Sequence, residues 1–233
     1  MLVVLLGPYH LGDALFVPQL ARDLAARKEG LVLVHGSGEA GERALESRGV
    51  FPEVRDGVWQ TASDEERADV ERAARDLNRR LVHELNEAGV PAVRVMAADR
   101  GLLASGDEGL RAGRATWLGT LVGQGGVAVV AALVAGPEPG PLVEVDAAAA
   151  AAALAEALGA EAVAVLVTGR AAGLPGPGGV RASASLADVE PGGAIPETAL
   201  VGRLVAVSRV PVVATSAAQL RAPGTPSGTR LGP

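Results

Sequence analysis

The residues best placed to do chemistry are Val34-His35-Gly36-Ser37-Gly38. A glycine turn between a strand and a helix leaves backbone N–H groups free at a positive helix end, which suits phosphate or carboxylate. The same pattern also serves as a tight turn with no ligand. Ser37 lacks the full Gly-x-Ser-x-Gly frame of a hydrolase elbow, so a serine nucleophile is not expected. His10, His35 and His83 lack metal-ligand spacing, and no metal site is expected. His83 falls on a helix and reads as a surface or interface residue. Asp99, just before Gly101, is either a loop acid or a turn residue. Lys28 is the only lysine among 21 basic residues. Arginine-rich codon usage accounts for that bias, yet any chemistry that needs a lysine rests on Lys28 alone.

Composition narrows the classes. The chain has 233 residues, a length for one large α/β domain or two small lobes, and with 48% of them hydrophobic it can bury a full core. Only 2% are aromatic, so that core is aliphatic. A net charge of −6 argues against nucleic acid and against an anionic membrane surface as partners. No cysteine is present, which removes disulfides, thiolate metal sites and cysteine nucleophiles. No apolar run reaches the length of a membrane span. The opening Met1-Leu2-Val3-Val4-Leu5-Leu6-Gly7 lacks a basic leader region and reads as a strand, so a cytoplasmic location is expected.

These residues must be carried by alternating strands and helices. Leu2 to Leu6 is a continuous apolar run ending at Gly7-Pro8, as in a strand buried on both faces. A helix is expected after Pro18, with Val17, Leu20, Ala21 and Leu24 on one face. Leu31 to Val34 forms the next strand, and the glycine turn opens a helix to about Arg48. Phe51 to Thr61 reads as a hairpin. Ser63 and Glu66 make a capping box for a long helix whose stripe is Val70, Ala74, Leu77, Leu81 and Leu85. The charged run from Asp64 to Glu71 is its solvated face.

Ala92 to Met96 is a strand, and about Arg100 to Ala115 a loop or hairpin. A short helix, a strand over Val127 to Val134, an alanine-rich helix from Asp146 to Leu158 and a strand over Ala162 to Val167 follow. Gly173 to Gly179 is a Pro/Gly-rich loop. A last helix is expected near Ile195 to Val205, then a strand over Val210 to Ala214. The tail from Ala222 is read as an edge strand or as disordered. The alternation implies a largely parallel sheet covered on both faces, with any ligand at the carboxyl ends of the strands. Gly7, His35 to Gly38, and Thr168-Gly169 all follow strands and are expected to converge there.

In this order the motifs resemble the amino-acid-kinase family, most of all its acetylglutamate kinases and carrier-protein-linked aminoadipate kinases. The carriers are MLVVLLG, VHGSG, DGVWQT, LNRRLVHELNEAGVPAV, ADRGLL, ALAEALGAEAVAVLVTGRAAGL and GGAIPE. The resemblance spans nearly the whole chain and implies a three-layer sandwich around a largely parallel sheet. It implies one domain, 1–233, with a substrate- and dimer-side lobe to about residue 135 and a nucleotide-side lobe from about 136. Phosphate transfer from ATP with Mg²⁺ onto a carboxylate, and dimerisation through the helix near Asp64 to Ala88, are implied too.

The family's catalytic pattern is broken at named positions. The lysine of the first strand is matched by Leu5, and the second glycine of that turn by Pro8, which has no N–H. The lysine after Ile-Pro is matched by Glu197. The organising aspartate falls on Ala148, or on Asp146 with a two-residue gap. The substrate-side arginine is matched by Trp59, and the substrate-side asparagine by Glu144, or Leu142 with the gap. Gly7, His35, Gly36, Ser37, Gly38 and Asn78 survive, with Gly7, Gly36, Ser37, Gly38, Thr168 and Gly169 as the phosphate or nucleotide side. Arg170 or Arg203 is the remaining source of positive charge. The expectation is a family member without catalysis, with a ligand-binding, regulatory or assembly role in arginine- or lysine-type biosynthesis. It would act as a homodimer or beside an active relative. An active, arginine-using kinase and an unrelated binding role are the alternatives.

Overall fold

The computed structural model describes residues 1–106, 109–136, 139–190 and 192–233. The first part of the chain forms β1 (Leu2–Leu6), α1 (Pro8–Gly12), α2 (Phe16–Ala25), β2 (Leu31–His35) and α3 (Glu39–Ser47). The hairpin β3 (Val54–Arg55) and β4 (Val58–Trp59) leads into α4 (Asp64–Glu87), then β5 (Ala92–Met96). A second hairpin, β6 (Leu103–Gly106) and β7 (Gly109–Ala112), precedes α5 (Thr116–Gly123), β8 (Val127–Ala131), β9 (Leu133–Val134) and β10 (Val143–Glu144). The rest comprises α6 (Ala147–Ala157), β11 (Ala162–Leu166), the ribbon β12 (Pro175–Gly176) and β13 (Gly179–Val180), β14 (Ser183–Ser185), α7 (Thr198–Val207), β15 (Val212–Thr215) and β16 (Thr229–Gly232).

Eight strands form one sheet in the order β14-β16-β15-β11-β1-β2-β8-β5. Every neighbouring pair is parallel except β15 with β16. The central strands are buried on both faces because each face carries its own aliphatic layer. Val3 and Leu5 of β1 pack into a layer with α5, α6 and α7, whereas Leu2, Val4 and Leu6 pack into one with α2 and α4. The alanines of α6 let that helix lie close to the sheet, and Ala148, Ala150 and Ala151 are fully buried. This is the expected mostly parallel sheet between helical layers.

Local chemistry explains most boundaries. Ser63 caps α4 by accepting from the Glu66 N–H, and Glu66 accepts in return from the Ala62 N–H, one residue earlier than in the usual box. Leu77, Leu81 and Leu85 are buried as the stripe requires. Three expectations need correction. The helix placed after Pro18 begins at Phe16, and Pro8 opens a separate short helix before it. The last helix begins at Thr198 rather than near Ile195, because Ile195 is core and Glu197 is held by the first strand's turn. The tail is neither an edge nor disordered: β16 lies between β14 and β15, with Thr229 fully buried, donating to the Arg181 carbonyl and accepting from the Leu174 N–H.

Candidate functional site

The turns after β1 and β2 stand side by side, since Leu6 pairs with His35 in register. Above them the β3–β4 hairpin, the start of α6 and the first turn of α7 enclose a cleft of about 210 Å³. Gly36, Gly38, Trp59, Glu144, Asp146, Glu197 and Arg203 all line it. Two glycines seat the hairpin. Gly57 has φ +80°, and a Cβ there would overlap the Arg203 guanidinium and lie 2.6 Å from an Asp146 oxygen. Gly41 of α3 leaves room for the Ser37 side chain and the Trp59 indole nitrogen. Neither glycine stands out in the sequence, because its role comes from an approach between distant segments.

Both glycine turns are already filled by carboxylates of the chain itself. Glu144 ends β10, and its Oε1 accepts from the Ser37 N–H while Oε2 accepts from the Ser37 hydroxyl at 3.0 Å. Glu197 reaches the other turn: its Oε1 accepts from the Tyr9 N–H at 2.9 Å, and a Cβ at Gly7 would overlap its carboxylate. Burial pushes the Glu144 carboxyl up to about 7, opposed by the two Ser37 bonds and helped by nearby Asp146. Burial also raises the Glu197 carboxyl, with the Tyr9 N–H opposing. Among the described residues neither carboxylate has an ion pair.

The single basic group lining the cleft is neutralised. Arg203 grips Asp146 with Nε to Oδ2 at 3.1 Å and Nη2 to Oδ1 at 3.3 Å, a bidentate pair. Asp146 also caps α6, accepting from the Ala148 N–H at 3.2 Å. The lining therefore carries three carboxylates against one guanidinium.

The remaining sequence candidates scatter. Leu5 and Ala148 are core residues, 2% and 0% exposed, so of the two candidates for the organising acid only Asp146 faces the cleft. Asn78 is fully buried away from it and donates to His35 Nε2 at 3.0 Å and to the Val129 carbonyl at 2.9 Å. That arrangement makes His35 Nδ1 the donor to the Gly36 carbonyl at 2.9 Å, and burial holds its imidazole down to about 4. Leu142 accepts no role in the cleft, its N–H being bound by Glu71. Thr168 and Gly169 line a different cavity of about 510 Å³ with His10, Phe16 and Arg170, so the three turns share the carboxyl end of the sheet but not one cavity. The Thr168 N–H is bound to the Ala194 carbonyl at 2.9 Å. Lys28 is exposed ahead of β2, at the opposite end of the sheet. Of the two arginines considered, Arg203 reaches the cleft and Arg170 does not. No three His, Asp or Glu side chains among the described residues are grouped to hold a metal ion, and no described helix is long and apolar enough to cross a membrane.

Comparison with known proteins places this architecture. A family model described as the amino acid kinase family matches residues 10–168. An acetylglutamate kinase of Roseiflexus sp. (strain RS-1) is 34% identical over 149 residues, 59% of this chain and 57% of that protein. The match thus spans little more than half of that relative. The smu.665 protein of Streptococcus mutans UA159 is similar in structure, with TM-score 0.68 and 19% identity over 99% of this chain and 98% of its own. N-acetylglutamate synthase of Neisseria gonorrhoeae, complexed with coenzyme A and N-acetyl-glutamate, has TM-score 0.69 and 19% identity over 100% of this chain and 59% of its own. The two structural likenesses bear on the fold; the family match bears on descent, and by it this chain belongs to the amino acid kinase family.

Proposed function

We propose that this chain is a non-catalytic, acetylglutamate-kinase-like member of its family, with a ligand-binding, regulatory or assembly role in arginine- or lysine-type amino-acid biosynthesis. The observation that carries the reading is the occupation of both glycine turns by Glu144 and Glu197. Phosphoryl transfer depends on preorganised positive potential around the moving group. Here the Tyr9 N–H and the Ser37 N–H and hydroxyl at the two turns are bound to internal carboxylates, and the positions matching the family's two lysines hold Leu5 and Glu197. Loss of one such donor costs about 2.7–4 kcal/mol, so loss of two lowers the rate by about 10⁴ to 10⁶. The donor set, three carboxylates against one committed guanidinium, does not suit a triphosphate with Mg²⁺. A cytoplasmic homodimer, or a complex with an active relative through α4, is the assembly we propose.

The test is direct. Purified chain is incubated with ATP, Mg²⁺ and N-acetylglutamate or aminoadipate, and acyl phosphate is trapped with hydroxylamine. No product above the buffer rate is expected; clear turnover would overturn the reading. One observation favours a second reading, an active kinase using arginine: Arg203 lines the cleft beside Asp146. Turnover that disappears in Arg203→Met would establish it.

A further inference from the structure

Resting on that non-catalytic reading, we propose that the cleft beneath the β3–β4 hairpin binds a small organic monocation, an alkylammonium or alkylguanidinium. Its charged head would sit between Glu144 and Glu197, with its stem against Trp59. The first argument is charge. Glu144 is 8% exposed and Glu197 half-buried, yet among the described residues neither has a basic partner. Buried carboxylates without a counter-ion lose hydration that backbone N–H bonds return only in part. The one guanidinium nearby is committed to Asp146. A cation supplied by a ligand is the missing counterpart.

Geometry supplies the second argument. The two carboxylates are seated at turns that end adjacent strands, and such strands run about 4.8 Å apart. Glu144 and Glu197 line the same cleft, so the charged head of one ligand held there would face both carboxylates. The remaining wall includes Val54, Leu200 and the Trp59 indole. Indole is the best aromatic face for a cation and a good surface for a hydrocarbon stem. At about 210 Å³ the cleft falls below the roughly 300–1,000 Å³ of sites for drug-sized ligands, so the ligand is small. The family resemblance alone points to anionic substrates; the side chains in this cleft select the opposite charge.

Calorimetric titration of the whole chain at pH 8 with n-butylammonium and n-butylguanidinium chloride tests this, with n-butyrate as an anion of similar shape. Saturable binding of at least one cation and none of butyrate is expected. Glu197→Gln, which preserves shape, should weaken the cation by about tenfold or more, since a hydrogen bond to a charged group is lost. Quenching of Trp59 emission on titration, read in a Trp117→Phe background, should saturate at the same concentrations. Absence of saturable cation binding up to millimolar concentrations overturns the proposal. So does equal or tighter binding of butyrate, or unchanged affinity in Glu197→Gln. If that variant fails to fold by circular dichroism, Glu144→Gln carries the same comparison. The phosphoryl-transfer assay keeps the two readings separate. Silent amine titrations without turnover defeat only the cation proposal, whereas turnover defeats the non-catalytic reading whatever the amines do.

Discussion

Replacing Glu144 by Gln should make the protein more stable at pH 8 and leave it nearly unchanged at pH 5. Glu144 is buried, and its carboxyl is raised from 4.5 to about 7 in the folded chain. A carboxyl that holds its proton more tightly when folded favours the folded state at low pH. That advantage disappears as pH rises from the unfolded value through the folded one. The shift corresponds to roughly 3 kcal/mol at about 1.4 kcal/mol per unit, after the Ser37 bonds have acted. The amide of Gln removes the titration while keeping an acceptor for the Ser37 N–H, and its NH₂ can donate to the Ser37 hydroxyl. Urea denaturation of parent and variant at pH 5 and pH 8 provides the measurement. Burial of His10 and His35, both held below the ordinary imidazole value, makes the parent less stable as pH falls, opposite in sign to Glu144. Glu197 acts in the same direction as Glu144. Only the difference between parent and variant isolates Glu144, and it should grow by about 1–3 kcal/mol from pH 5 to pH 8. A difference that is flat, or that shrinks with pH, refutes the argument that this carboxylate lacks a cationic partner.

Other perturbations have signs that the packing decides. Gly41→Ala would gain up to about 1 kcal/mol of helix propensity on an open helix face. Here the added methyl overlaps Ser37 and meets the Trp59 indole, so a net loss of about 1–2 kcal/mol in chemical denaturation and a red shift of tryptophan emission are expected. Asn78→Ala leaves the Val129 carbonyl and His35 Nε2 without their donor, and a loss of about 2–5 kcal/mol should appear in thermal and urea unfolding. Ser63→Ala removes the cap of α4 and should cost about 1 kcal/mol, with increased amide exchange confined to its first turn.

Much of this architecture is legible in the amino-acid order. Apolar runs such as Leu2–Leu6 and Ala162–Leu166 signal strands buried on both faces, and Ser63 with Glu66 marks the start of α4 because capping is a local interaction. The glycine turn at Gly36–Gly38 is legible for the same reason. What fills that turn is not, since Glu144 and Glu197 reach their N–H partners from 107 and 188 positions away. Nothing local distinguishes a glutamate in a turn from one on the surface. The choice between Asp146 and Ala148 is likewise undecidable within an alanine run; the fold puts Asp146 at the cap of α6 beside Arg203 and Ala148 in the core. The Pro- and Gly-rich tail hides β16 because its strand character comes from the partners on either side.

The order in which the cleft's parts occur along the chain has a kinetic consequence. The two glycine turns belong to β1 and β2, whereas the carboxylates that fill them arrive with residues 144 and 197. Long-range closures of this kind are slow steps in folding. A refolding chain with β1 and β2 paired but its second half undocked would therefore present both turns to dissolved anions. Phosphate should compete with the late-arriving glutamates and retard the final docking phase in stopped-flow refolding, while leaving the unfolding rate unchanged. A docking phase indifferent to phosphate would mean that the turns take shape only when their internal carboxylates do.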